Sequence, residues 1–101
     1  MKLMTKEIAN KLPALYAMQH KTPSETPVVV KYFNPYGSGT WYITEFDGDD
    51  LMFGLCCIHE AELGYVNLSS LKELRPFAGL PIERDLYWNG TLRDAMNIEG
   101  Y

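Results

Sequence analysis

The chain opens on a helical period and then changes to strands. Apolar residues Ile8, Leu12, Leu15 and Met18 recur at intervals of three and four behind Thr5, a residue suited to an N-cap, and predict an amphipathic helix over residues 6–18. Pro13 falls inside that pattern. It removes a backbone donor and pushes Leu12 out of helical geometry, so a kink or two successive short turns is expected there. His20 to Pro27, with two prolines among Thr22, Ser24 and Thr26, reads as a loop. β-Branched and aromatic runs follow at Val28–Phe33, Thr40–Phe46 and Leu51–Ile58. Turn sequences at Asn34–Gly39 and Asp47–Asp50 separate them, which predicts a three-stranded antiparallel meander. The third run is apolar at nearly every position, as in a central strand. Tyr65–Leu68 is a candidate fourth strand. Ser70 and Glu73 have capping-box spacing and predict a short helix that Pro76 ends. Residues 77–90 read as irregular, with an extended stretch at Ile82–Trp88. Thr91 and Asp94 open a tail helix whose Leu92, Met96 and Ile98 are placed to pack on the sheet.

A chain of 101 residues, 47% hydrophobic and 13% aromatic, has material for one core and none for a second. Residues 1–101 are therefore expected to form a single α+β domain. Its architecture is a three- or four-stranded antiparallel sheet with an N-terminal helix and short C-terminal helices packed on one face. So small an interior favours surface recognition over chemistry in a deep pocket. Charge at Lys2, Lys6 and Glu7 leaves no apolar signal-peptide core, and no run is long enough to span a bilayer, so a cytoplasmic protein without membrane contact is expected. Cys56 and Cys57 are neighbours in a strand-like run, where their side chains point to opposite faces; they are expected to stay reduced.

Charge changes the picture most. Residues 32–71 contain no lysine or arginine but carry Glu45, Asp47, Asp49, Asp50, Glu60 and Glu62, while the whole chain has a net charge of −4. That asymmetry argues against direct nucleic-acid binding, which needs cations against phosphate, and for a protein partner with a basic surface. Trp41 and Tyr42 lie in the same stretch and are candidate apolar anchors beside the six carboxylates.

Candidate chemistry is thin. His59, Glu60 and Glu62 are metal-ligand types, and a small metal-dependent enzyme centred on them is the alternative function. The zinc-protease helix pattern, however, needs a second histidine where Leu63 stands. Asp47-Gly48-Asp49-Asp50 resembles the start of a calcium loop, yet Met52 and Ile58 occupy the positions that require glycine and glutamate. Ser38, in Gly37-Ser38-Gly39, lacks the nucleophile-elbow pattern, and no phosphate-binding glycine motif occurs. No catalytic residue, metal or cofactor is expected.

Several segments together resemble the domain-of-unknown-function family 2958. They are Met1-Lys2-Leu3 with Thr5-Lys6-Glu7, Leu12-Pro13-Ala14-Leu15-Tyr16, Thr40-Trp41-Tyr42, Thr44-Glu45-Phe46-Asp47-Gly48, Phe53-Gly54-Leu55, His59-Glu60, Glu62-Leu63-Gly64-Tyr65 and Gly79-Leu80-Pro81-Ile82-Glu83-Arg84-Asp85-Leu86. The resemblance spans nearly the whole chain. It implies a bacterial protein encoded on a plasmid, phage or conjugative element, and an expected function as a non-enzymatic anti-CRISPR inhibitor. Such a protein would bind a type II RNA-guided nuclease through its acidic face and block DNA binding, competing for the basic channel as a duplex mimic. An accessory protein of plasmid maintenance or conjugation is the other expectation that this setting carries.

Overall fold

The first helix, α1 (Lys6–Lys11), begins at Thr5, whose hydroxyl oxygen accepts from the Ile8 amide at 3.1 Å, and stops where Pro13 holds Leu12 extended. The computed structural model describes residues 1–101. The helix expected over 6–18 is thus cut short, and residues 14–21 continue as successive turns closed by amides of Ala17, Gln19 and Lys21 on the carbonyls of Ala14, Tyr16 and Met18. Tyr16 is left-handed, at φ 69°, a conformation that a residue with a Cβ adopts only when its surroundings hold it there. A single turn of 3₁₀-helix, Pro23–Glu25, then leads into the sheets.

The run expected at Val28–Phe33 divides. Its start, β1 (Pro27–Val28), leaves the main sheet and pairs antiparallel with a strand near the C-terminus, while β2 (Val30–Phe33) stays. The meander continues through β3 (Thr40–Phe46), β4 (Leu51–Cys57) and β5 (Ala61–Asn67). The fourth strand therefore starts earlier than Tyr65, and Gly64 sits within it without breaking the ladder. A two-residue β6 (Glu83–Arg84) joins the free side of β2, giving five strands in the order β5-β4-β3-β2-β6 where three or four were expected. The partner of β1 is β7 (Gly90–Thr91).

A bulge re-aims the end of β3. Ile43 faces Gly54 and Glu45 faces Phe53, so Thr44 is the inserted residue, and its hydroxyl donates to the Phe53 carbonyl at 3.2 Å. Tyr42 and Glu45 consequently share one face of the sheet.

Helices cover both faces rather than the one expected, because both faces of the central strands are apolar, and each face has its own core. On one, α1 and α2 (Leu68–Glu73) pack with Leu3, Leu12, Val30, Tyr32, Trp41, Ile43, Phe46, Met52, Leu68, Leu71 and Ile82. Each such side chain contributes about 1.5–3 kcal/mol by leaving water. On the other face, α3 (Leu92–Glu99) packs Leu92, Ala95 and Met96 on Val28, Tyr42, Leu55 and Cys57. The Thr91–Asp94 capping box is present, and left-handed Gly100 closes the helix. Ile98, expected to pack, is exposed. The Tyr42 hydroxyl donates to Glu99 at 2.7 Å, and the Trp88 indole to the Val28 carbonyl at 3.0 Å, which tie the tail to the sheet. In the Ile82–Leu86 run, Arg84 donates to the Lys2 carbonyl and Asp85 pairs with Lys31, so its charges hold the sheet edge to the N-terminus and to β2.

Candidate protein-binding groove

The six carboxylates do not form one face. Glu45, expected at the surface, is only 4% exposed; it accepts from the Tyr16 amide at 2.9 Å and the Met18 amide at 2.8 Å, and Phe46 N donates to the Pro13 carbonyl beside it. Its charge therefore clamps the turn segment to β3. The bulge at Thr44 is what turns it inward. Trp41 and Tyr42, at 5% and 0% exposure, belong to the two cores and present no anchor to solvent. The other five carboxylates fall into two groups, Asp47, Asp49 and Asp50 in one turn and Glu60 and Glu62 at the other. These turns cap opposite ends of β4, separated by about 20 Å at 3.3 Å per residue.

Two aspartates in the first group have structural duties. One oxygen of Asp47 accepts from the amides of Asp49, Asp50 and Leu51, closing the β3–β4 turn. Asp50 accepts from the Ser69 amide at 2.7 Å, the Ser69 hydroxyl and the Asn67 side chain, and so caps α2 from outside the helix, where Ser70 was expected to do so. The Asp49 amide holds the Asp47 carboxyl below its ordinary pKa, and the Ser69 amide does the same for Asp50. Glu25 is lowered likewise by the Thr22 amide. Their folded values lie below the unfolded ones, so the stability they add is complete above the ordinary carboxylate range and is lost as pH falls through the folded values. Melting temperature is expected to drop on acidification below about pH 4, and less steeply in an Asp47→Asn/Asp50→Asn double variant; equal slopes in both proteins would contradict these roles.

Among several surface concavities of similar volume, one has the most apolar lining. A groove of about 360 Å³ opens on the α3 face between the turn segment, α3 and the outer strands. Tyr16, Met18, Phe53, Leu63, Tyr65 and Met96 supply its apolar surface, with Glu45 beneath. Phe53 and Tyr65 meet edge to face at 5.0 Å. Tyr16 and Tyr65, 60% and 50% exposed, stand together at the mouth, where the neighbouring Tyr16 hydroxyl raises the Tyr65 pKa. These residues escaped the sequence argument. Tyr16 lies in an expected helix and Leu63 outside the expected fourth strand; the one available signal was apolar Leu63 and Tyr65 alternating with Glu62 and Gly64.

Other candidate chemistry does not assemble. His59, Glu60 and Glu62 are exposed around the β4–β5 turn, and no three His, Cys, Asp or Glu side chains converge in a metal-binding arrangement. Burial pushes the thiols of Cys56 and Cys57 up to about 11 and about 12, which leaves them protonated and weakly nucleophilic at neutral pH. No helix is long and apolar enough to cross a membrane.

The sequence profile of a family described as "Protein of unknown function (DUF2958)" matches residues 3–98. No curated protein and no solved structure matches the chain.

Proposed function

The chain belongs to the DUF2958 family, whose description assigns no activity, and we propose that it is a non-catalytic protein-binding module that seats an apolar side chain of its partner in the groove on the α3 face. One observation carries this: two tyrosines stand exposed at the mouth of an apolar groove whose wall is pinned by a buried carboxylate. Tyrosine adds contact area at little entropic cost, and a wall that is already fixed has no ordering cost left to meet on binding. A duplex mimic, by contrast, needs one continuous acidic face. Glu45 is internal and the remaining carboxylates are divided between two turns, so recognition of a mobile-element protein's target, a nuclease included, is assigned to the groove.

Affinity capture from a bacterial lysate tests this with three variants whose fold is first checked by thermal melting. Tyr16→Ala and Tyr65→Ala remove the groove mouth; Tyr87→Ala removes a residue 95% exposed beyond β6, at the opposite edge of the sheet. A partner retained by the wild-type protein and by Tyr87→Ala, and weakened about tenfold or more by Tyr65→Ala, is the expected result. Equal retention by all variants, or selective loss with Tyr87→Ala, would contradict it. Guide-loaded type II nuclease is a direct bait: inhibition that Tyr65→Ala abolishes supports the groove, and full DNA cleavage in excess protein removes that nuclease as the target.

A further inference from the structure

The outer edge of β5 has no neighbouring strand. Its ladder parity follows from one bond: Leu68 N donates to the Asp50 carbonyl at 2.8 Å, so Asp50/Leu68 is a bonded pair. Alternation then makes Met52/Val66, Gly54/Gly64 and Cys56/Glu62 the pairs that exchange hydrogen bonds. The amides and carbonyls of Leu63 and Tyr65 therefore point outward, and no hydrogen bond from any other segment reaches them. Natural edges are blunted by lysine, proline, a bulge or shortness. β6, at the other edge, is two residues long, but β5 has seven residues, none of them lysine or proline, and pairs with β4 without a register shift.

Leu63 and Tyr65, whose main chain points outward, also line the groove, because they direct their side chains to the α3 face. Glu62 alternates with them and lies on the opposite face with Cys56. The molecule's two salt bridges, Lys11–Glu7 and Lys31–Asp85, leave Glu60 and Glu62 without a cation. Lys21 stands on the groove wall and Lys72 acts on Asp50, and neither pairs with these two glutamates.

The geometry points to strand addition. An extended segment of the partner protein pairs its main chain with Leu63 and Tyr65 as a sixth strand, with apolar side chains on the groove face and lysine or arginine on the Glu62 face. Main-chain bonds give such a complex its affinity, and the side-chain pocket and charge give it specificity. This rests on the groove being the protein-binding site, and the test separates the two ideas.

The probe is a pool of seven-residue peptides, matched to the length of β5, with lysine alternating with phenylalanine, leucine, valine or tyrosine; a second pool carries glutamate in place of lysine. Amide exchange of the isotopically labelled protein is followed by NMR. With the lysine pool, exchange at Leu63 and Tyr65 is expected to slow by about tenfold or more, while Glu62, Gly64 and Val66, already bonded to β4, do not change. Leu63→Pro removes an outward donor that the sheet does not use, and Leu63→Ala removes only the side chain; binding weaker in the first than in the second supports the edge. If groove side-chain signals shift while Leu63 and Tyr65 exchange as in the free protein, strand addition is overturned and the groove stands. No response to the lysine pool overturns both. Equal binding of the glutamate pool overturns the cationic segment. Concentration-dependent protection of Leu63 and Tyr65 in the protein alone assigns the edge to a second copy and overturns the peptide proposal.

Discussion

Gly54→Ala is expected to cost about 3 kcal/mol or more, the upper end of overpacking penalties, and to lower the melting temperature by roughly 15 °C in a domain of this size. A Cβ at this position would collide with the Tyr42 carbonyl oxygen and stand 2.9 Å from the Ile43 Cα. Both obstacles are backbone of β3, folded over Gly54 by the Thr44 bulge, and backbone in a five-stranded sheet cannot step aside as a flexible side chain would. The cross-strand neighbour is the control. A Cβ at Gly64 meets nothing within 4 Å, so Gly64→Ala is expected to stay within about 0.5 kcal/mol of wild type or to stabilise slightly, since alanine restricts the unfolded chain. Thermal melts of the two variants decide the matter. Similar behaviour of both would mean that the bulge does not bring β3 across Gly54.

Glu45→Ala is expected to cost about 3 kcal/mol, because it strands two main-chain donors at roughly 1–3 kcal/mol each. Those donors are the amides of Tyr16 and Met18, the first in a left-handed conformation that lacks a glycine's freedom. Without their acceptor the turn segment is expected to loosen while the sheet persists. Amide exchange should accelerate at Tyr16 and Met18 before it does at Ile43 or Leu55, which are fully buried. Glu45→Gln keeps a single carbonyl acceptor and should lose roughly half as much. Groove binding should fall in proportion, since Tyr16 and Met18 form one wall. If Glu45→Ala melts like wild type and leaves exchange at these two amides unchanged, the buried carboxylate is not what holds the groove.

How far the sequence reached depends on the range of the interactions involved. The meander was legible because β-branched and aromatic runs are local signals, and the tail helix because Thr91 and Asp94 sit three residues apart. Pro13 announced the end of α1, and successive turns followed. What the one-dimensional pattern hid was non-local. A bulge has no signature of its own, so Glu45 read as a surface acid when its partners lie 27 and 29 residues away. Asp50 read as partner-binding while its partners are Asn67 and Ser69, and the two-residue β6 is too short to show any period. Trp41 and Tyr42 read as candidate anchors for a partner; with helices on both faces, both are core. The acidity of residues 32–71 is real, but the antiparallel topology deals it to opposite ends of β4.

The most direct measurement is site-specific photo-crosslinking in living bacteria, with a photoreactive phenylalanine analogue placed at position 65, at position 16, or at position 87 beyond the far edge of the sheet. Adducts to the same protein from positions 65 and 16, and none from position 87, are the expected result. Adducts from position 87 with none at the groove would contradict the assignment of the α3-face groove as the surface through which this protein acts.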